Sequence, residues 1–259
     1  MNEKARRFGE LHQGPEILVL PNAWDAASAR IFERAGFAAI GTTSAGIAFS
    51  LGYPDGQRIP PGEMMEAVAR IARAVQVPVT ADAEAGYGDA AAAARAVWAA
   101  GAVGMNLEDS EAGALIDLAP RIRAVRQAVP EMVINARCDI FLKEIGEERT
   151  RLERTVDRLN AYRAAGADCL FAPGVRDRET IARLVKAVRG PLNILAVAGS
   201  PPIAEMQALG VARVSVGSGP MRAAMGLVGR IARELRDSGT FHNMMGGAIP
   251  YAEANRIFE

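Results

Sequence analysis

The stretch of sequence that decides the fold is residues 77–109, VPVTADAEAGYGDAAAAARAVWAAGAVGMNLED. It begins with a short apolar run (77–81) and continues through an alanine-rich segment (89–100) with helical periodicity. Gly101 then follows an alanine, as expected for a glycine that ends a helix in the left-handed conformation, and a second apolar run (103–107) comes next. The stretch therefore predicts one strand–helix–strand unit of a parallel sheet.

The same unit repeats along the whole chain. Apolar runs rich in Val, Ile, Leu and Ala alternate with helical segments, and Gly36 and Gly166 follow alanines as Gly101 does. The eight predicted strands are 17–20, 38–42, 77–81, 103–107, 132–136, 169–172, 192–196 and 213–216. Predicted helices between them include 63–75, 89–100, 119–128, 149–164, 178–188 and 203–208. Eight such units in 259 residues predict an α/β protein with one domain, a single (β/α)8 TIM-type barrel over residues 1–259.

A C-terminal helical extension, residues 221–259, exceeds what closing a barrel needs. It contains a predicted helix (221–237), a polar break (238–247) and a further helical stretch (250–258). Its apolar side chains favour packing on another subunit, and a frayed terminus is the alternative. These side chains are Met244, Met245, Ile249, Tyr251 and Phe258.

Composition restricts the partners. Thirty acidic residues balance thirty basic ones and no basic block is present, which argues against nucleic acid or an anionic membrane as a partner. Residues 1–14 are charged and lack the apolar core of a signal peptide, and no run approaches the roughly 20 apolar residues of a membrane span. The only cysteines, Cys138 and Cys169, form no metal or CxxC pattern. We therefore expect a cytoplasmic protein with a small-molecule partner.

Acidic residues follow two neighbouring predicted strands. Asp82 and Glu84 come after the third strand, and Glu108 and Asp109 come after the fourth. Active sites of such barrels lie at the carboxyl ends of the strands, where four unpaired carboxylates would repel one another. Alternation along a strand places Asp82 and Glu84 on one side, and Glu108 can join them. Oxygen-only ligation of this kind predicts Mg²⁺, or Mn²⁺, and solvated loop acids or helix caps are the alternative. For Asp109 we expect a cap or a supporting role.

Other segments at the same end of the barrel could bind substrate. Residues 43–46 (TSAG) offer a turn whose backbone N–H groups could hold a carboxylate, and a purely structural turn is the alternative. Arg137, at the end of the fifth strand, could add a bidentate contact. Asp55 lies in a turn-rich segment that could cover the mouth. Residues 216–220 (VGSGP) either bind phosphate, as barrels do at this place, or only permit a tight turn.

Several other chemistries lack their residues. The only lysines, Lys4, Lys143 and Lys186, lie outside the predicted strands, so a Schiff-base mechanism has no nucleophile there. His12 and His242 also lie outside the strands, and we expect both to be surface residues rather than members of a triad or a zinc site. For Cys138 we expect a buried, inert thiol, although it follows Arg137.

Four ordered motifs carry a family resemblance over nearly the whole chain. Residues 41–44 (GTTS), 51–55 (LGYPD), 81–88 (ADAEAGYG) and 106–109 (NLED) resemble, in this order, the motifs of the isocitrate lyase and phosphoenolpyruvate mutase superfamily. The resemblance implies that Asp82 binds Mg²⁺ and that Glu84 and Glu108 complete its shell partly through water. It also implies tetramers, built as dimers of helix-swapped dimers, in which a C-terminal helix is exchanged between subunits.

The resemblance also implies roles around the substrate. Thr43, Ser44 and Ala45 would hold its carboxylate, and Asp55 would be an active-site residue. Arg137 matches the family's substrate-binding arginine, and Asn193 lies where lyase members carry a substrate-contacting asparagine. Mg²⁺ and Arg137 would together stabilise the enolate formed beside a keto group, which makes Asp55, Arg137 and Glu108 the expected catalytic residues.

Departures from the family pattern bear on the reaction. Residues 108–115 (EDSEAGAL) contain neither the lysines nor the cysteine of the lyase gating loop, the mutase's lysine and asparagine are missing too, and 171–174 (FAPG) lacks the usual acidic or histidine side chain. We expect a Mg²⁺-dependent lyase that cleaves a carbon–carbon bond or decarboxylates a small α-keto or hydroxy (di)carboxylate. The alternatives are phosphonate carbon–phosphorus chemistry and a non-catalytic carboxylate-binding barrel.

Overall fold

The computed structural model describes residues 2–259 and contains one large parallel sheet wrapped by helices. The strands are β1 Leu18–Leu20, β2 Asn22–Ala23, β3 Ile40–Thr42, β4 Val79–Asp82, β5 Gly104–Glu108, β6 Ser110–Glu111, β7 Ala114–Leu115, β8 Val133–Arg137, β9 Cys169–Phe171, β10 Leu192–Leu195 and β11 Arg213–Ser215. The helices are α1 Glu3–Leu11, α2 Ala26–Arg34, α3 Ser44–Ser50, α4 Pro61–Ala74, α5 Ala90–Ala99, α6 Ala119–Ala128, α7 Glu148–Ala164, α8 Arg178–Ala187, α9 Ile203–Ala208, α10 Gly219–Ser238, α11 His242–Met245 and α12 Tyr251–Arg256.

The sheet closes into the predicted barrel. Its order is β1-β11-β10-β9-β8-β5-β4-β3-β2, and the two end strands β1 and β2 are consecutive in the chain, with only Pro21 between them. Proline has no N–H to donate and interrupts the ladder, so β1 and β2 together make one barrel strand. Gly36, Gly101 and Gly166 have φ of 90°, 90° and 113°, which confirms the left-handed helix ends. The α/β TIM-type fold is therefore confirmed.

Helix α1 packs beneath the barrel and contributes to its core. Phe8 is fully buried against Leu18 and Val133, and a Cβ on residue 104 would lie 2.7 Å from Phe8 Cε1, so Gly104 leaves room for the ring. His12, at the C-cap of α1 and four residues after Phe8, is 4% exposed. The expectation of a surface residue is wrong for His12, because tertiary packing covers the end of a helix that reads as polar. His242 is exposed, as expected.

Three segments differ from the sequence-based expectations in detail. Residues 43–46 form the start of α3 rather than an isolated turn, because the Thr43 side chain caps the helix by accepting from Gly46 N–H. The loop after β5 forms a small antiparallel hairpin, β6–β7, that was not predicted. The predicted polar break contains the short helix α11.

Helix α10 is the longest helix among residues 2–259 and is poorly covered. None of its twenty residues is buried, and Met225, Val228 and Leu235 are among its exposed apolar side chains. The apolar residues predicted for the extension are exposed as well, with Tyr251 at 85% and Met245 at 61%. Across residues 2–259, no helix is both long enough and apolar enough to cross a membrane.

Candidate active site

A cavity of about 280 Å³ opens at the carboxyl ends of the barrel strands, where the sequence placed the chemistry. Its walls come from most of the strands and the loops that follow them. The lining residues are Asn22, Thr43, Ser44, Ala45, Asp55, Asp82, Asn106, Arg137, Leu142, Phe171, Pro173, Leu195, Val197, Ser215, Gly217, Ser218 and Arg222. Six predicted site residues therefore share one cavity: Thr43, Ser44, Ala45, Asp55, Asp82 and Arg137.

The loop from β3 into α3 is fixed to the end of β4. Both the backbone N–H and the Oγ–H of Ser44 donate to Asp82 Oδ2, at 3.2 and 2.8 Å. Thr42 Oγ1 accepts from the backbone N–H of Asp82 at 2.9 Å. These bonds orient the Asp82 carboxylate at the cavity wall and leave the Thr43–Ala45 segment facing the same space.

The predicted metal carboxylates Asp82 and Glu84 lie in or beside the cavity. Asp82 lines it, while Glu84 is 5% exposed and has a left-handed φ of 49° just past the end of β4. Simple alternation does not extend to Glu84, because the strand ends at Asp82. The left-handed backbone conformation of Glu84 itself sets the direction of its side chain instead. Burial, reinforced by the charges of Asp82 and Glu108, raises the pKa of Glu84 to about 8. Within residues 2–259, no three His, Cys, Asp or Glu side chains lie close enough to hold one ion directly.

Arg137 is the main cation of the site. It forms an ion pair with Glu108 at 2.8 Å and another with Asp139 at 2.5 Å, and its side chain is 17% exposed. Burial raises the pKa of Glu108 to about 7, opposed by the charge of Arg137. Burial would lower the pKa of Arg137, but the charges of Glu108, Asp139 and Asp82 outweigh it and raise that pKa. The guanidinium is therefore permanently charged and held in one place.

The network extends to two residues that the sequence analysis did not assign. Asp139 is fully buried, and its carboxylate pairs with Lys143 Nζ at 3.4 Å. Lys143 also donates to Ser110 Oγ, the first residue of the β6–β7 hairpin. Two-residue spacing from Arg137 was the available signal for Asp139. No sequence signal placed Lys143 against the hairpin, because the contact joins two separate loops.

Asp109 and Cys138 are buried next to the Arg137–Asp139 network. Asp109 is fully buried, pairs with Arg158 at 2.7 Å, and accepts from Tyr162 Oη at 2.8 Å and from the backbone N–H of Asp139 at 2.8 Å. Cys138 is fully buried, and burial raises the pKa of its thiol to about 12. Cys138 is thus the buried thiol that the sequence predicted.

Asp55 and Asn193 occupy contrasting positions. Asp55 is exposed at the rim of the cavity. Asn193 is fully buried and does not line the cavity; its amide exchanges hydrogen bonds of 3.3 Å with Ser215 Oγ. Ser215 itself lines the cavity, so Asn193 supports a lining residue in this structure. Its role in substrate contact remains a prediction.

The glycine-rich segment after β11 forms another wall. The N–H groups of Val216 and Gly217 donate to Asn22 Oδ1 at 2.9 and 2.8 Å, which fixes the turn into α10. Gly217 and Ser218 face the cavity together with Arg222 from α10. Arg222 was missed by the sequence analysis, since it lies on a helix beyond the last strand.

Comparisons with known proteins agree with this architecture. The sequence model of phosphoenolpyruvate phosphomutase matches residues 8–236. An uncharacterized protein of Mycobacterium tuberculosis (strain ATCC 25618 / H37Rv) is 39% identical over 250 residues, covering 95% of this chain and 93% of that protein. Oxaloacetate decarboxylase of Rhodopseudomonas palustris (strain HaA2) is 33% identical, covering 88% and 83%. The structure of oxaloacetate acetylhydrolase in complex with the product oxalate superposes with a TM-score of 0.85 at 26% identity, covering 98% and 93%. The chain belongs to the phosphoenolpyruvate phosphomutase family, within the isocitrate lyase and phosphoenolpyruvate mutase superfamily.

Proposed function

We propose that this protein is a Mg²⁺-dependent lyase that breaks a carbon–carbon bond in a small α-keto or hydroxy (di)carboxylate, with decarboxylation as one form of the reaction. The observation that carries the proposal is the placement of Arg137 and Asp82 on the wall of one small cavity, with Glu108 paired to Arg137 at 2.8 Å. A cavity of about 280 Å³ suits a small acid. The relative from Rhodopseudomonas palustris, an oxaloacetate decarboxylase, supports this substrate class.

The residues present fit a hard divalent cation. Asp82, Glu84 and Glu108 offer only oxygen donors, which Mg²⁺ or Mn²⁺ prefers. Burial and mutual repulsion raise the pKa of Glu84, and a cation would relieve that repulsion. Because three carboxylates do not converge directly within residues 2–259, we infer that Asp82 would bind the ion and that Glu84 and Glu108 would act partly through water.

The chain's own residues account for the steps of a decarboxylation. Thr43, Ser44 and Ala45 bind the carboxylate that remains, and Arg137 holds the keto oxygen. As the carbon–carbon bond to the leaving carboxylate breaks, CO₂ departs. The electron pair of that bond forms an enolate, whose negative charge Arg137 stabilises. Bound Mg²⁺ would supply further positive charge beside that oxygen. Asp55, at the rim, takes a proton from solvent and passes it to the enolate carbon.

A turnover panel tests the proposal. Oxaloacetate, methylated malates, isocitrates and phosphonopyruvate are incubated with Mg²⁺ or with chelator, and pyruvate, glyoxylate and phosphate are followed. We expect a keto acid that forms only with metal and that Arg137→Gln abolishes. Arg149→Gln, on the outer helix α7, is the matched control because its side chain is 83% exposed and pairs with Glu147. Absence of keto acid from every substrate would contradict the proposal.

Phosphonate chemistry is the second candidate. Ser218 and Arg222 line the cavity opposite the carboxylates, where an anionic phosphonate could bind. Phosphate release from phosphonopyruvate in the same panel would favour this candidate. Tight oxalate binding with no turnover of any substrate would instead favour the carboxylate-binding barrel.

We also propose that the protein is an oligomer, a tetramer in which α10 packs on another subunit. The exposed apolar side chains of α10 support this, since a helix of twenty residues with no buried position leaves a large apolar face in water. Light scattering measures the mass directly.

A further inference from the structure

A polar layer lies inside the barrel directly beneath the cavity. Arg213 is fully buried, and within residues 2–259 no carboxylate forms an ion pair with it. Burial lowers the pKa of its guanidinium to about 10, so the group is still charged at neutral pH. Its Nη1 contacts His12 Nε2 at 3.4 Å, and its Nη2 donates to Asn106 Oδ1 at 3.3 Å. Barrel interiors are usually filled with branched apolar side chains, so this cation requires an explanation.

Asn106 connects the layer to the cavity. Its Oδ1 accepts from Asn135 Nδ2 at 2.8 Å as well as from Arg213. A guanidinium has donors only, so the oxygen of the Asn106 amide must face downwards, and the amide orientation follows from the network. Asn106 is 7% exposed and lines the cavity beside Asp82, its partner in the β4–β5 register. Its NH₂ group is thereby turned towards the cavity.

We propose that Asn106 is a substrate-binding residue, whose amide N–H donates to an oxygen of the bound keto acid or its enolate, and that Arg213 and Asn135 are positioning residues that hold the amide. The inference rests on the proposed function, because it needs an oxygen-rich substrate in this cavity. Neither the sequence motif nor the resemblance assigned a role to Asn106. An amide fixed from below loses little freedom when it binds, which is the advantage of such support.

Asn106→Asp is the sharpest test, with oxalate as the probe. The substitution keeps Oδ1 as the acceptor for Asn135 and Arg213 but replaces the donor with a second acceptor. We expect the Kd of oxalate, measured by calorimetry with saturating Mg²⁺, to rise by about tenfold or more, as for loss of a hydrogen bond to a charged group. Binding of Mn²⁺ alone should persist, because no donor to the metal is removed. Asn160→Asp on α7 introduces the same charge outside the barrel and should leave the Kd unchanged.

Arg213→Met tests the positioning role. With Asn106 present, the freed amide should bind oxalate severalfold more weakly. In the Asn106→Ala background there is nothing left to orient, so the same substitution should add no further loss of affinity. A purely structural role for Arg213 would weaken oxalate binding equally in both backgrounds and would overturn the positioning assignment.

The two levels of the proposal fail differently. If the wild-type protein does not bind oxalate with Mg²⁺, the proposed function fails and the role of Asn106 falls with it. If the wild type binds oxalate and Asn106→Asp binds it equally well, the role of Asn106 alone is overturned. Asn106→Ala provides the same comparison should Asn106→Asp not fold.

Discussion

Acidification should destabilise this protein through His12. Its ring is 4% exposed; Nδ1 lies 2.8 Å from Phe8 O, and Nε2 faces the cation of Arg213. Burial, reinforced by the charge of Arg213, lowers the pKa of His12 to about 3, against an ordinary value of 6.5. Since the unfolded chain binds the proton more tightly, the stabilising contribution is complete above pH 6.5 and falls as the pH drops towards 3. Between pH 7 and pH 5 the loss is about 2 kcal/mol, at roughly 1.4 kcal/mol per pH unit below about 6.5.

Urea unfolding at pH 7 and pH 5 measures this loss. We expect the wild-type free energy of unfolding to fall by about 2 kcal/mol more than that of His12→Gln, which keeps an acceptor but does not titrate. His242→Gln is the matched control, since His242 is exposed and should leave the pH dependence unchanged. Identical pH dependence in the wild type and His12→Gln would refute the reasoning, because it would mean that His12 is protonated equally easily in both states.

Three further predictions concern packing and assembly. Gly104→Ala should lower the free energy of unfolding by about 2 kcal/mol, because its Cβ would meet the phenyl ring of α1, whereas Gly62→Ala, with nothing within 4 Å in α4, should be neutral or stabilising; thermal unfolding compares them. Asp109→Asn leaves Arg158 without its buried partner and should cost about 3 kcal/mol in urea unfolding; an unchanged midpoint would contradict this. Val228→Glu, at a position 63% exposed on α10, should reduce the mass measured by light scattering; an unchanged mass would argue against a role for this face.

The barrel was predictable because each of its elements depends on local pattern. Strand β5 was predicted at 103–107 and found at Gly104–Glu108, and α6 was found at the predicted bounds. Strand β5 has a short apolar run, and α6 has apolar residues at helical spacing. Each pattern therefore indicates one kind of secondary structure. The hairpin β6–β7 has no such pattern: its strands are two residues each and depend on a turn with Ala112 and Gly113 in the left-handed region.

The site was predictable only where it follows strand ends. Asp82 and Arg137 end β4 and β8, so their place at the mouth follows from the fold. Lys143 and Arg222 lie in a loop and on a helix, and their positions depend on how separate segments meet. The burial of His12 was unpredictable for the same reason. Helix α1 has the sequence of a surface helix, and only the structure shows that Gly104 makes space beneath the barrel for Phe8.

The polar interior of the barrel supports a functional reading of the layer below the cavity. Among residues 2–259, Arg213 forms no ion pair, and neither its Nε nor Asn135 Oδ1 has a hydrogen-bond partner, so burying these groups costs stability. An apolar side chain at position 213 would avoid the costs of the buried guanidinium, so structure alone does not favour arginine there. Arg213 nevertheless contacts Asn106, which faces the cavity. The barrel interior thus departs from the usual apolar packing immediately beneath the candidate site, and departures of this kind are expected at functional sites. Arg213→Met should therefore keep or raise Tm while weakening oxalate binding, and a loss of both would make the arginine a structural residue.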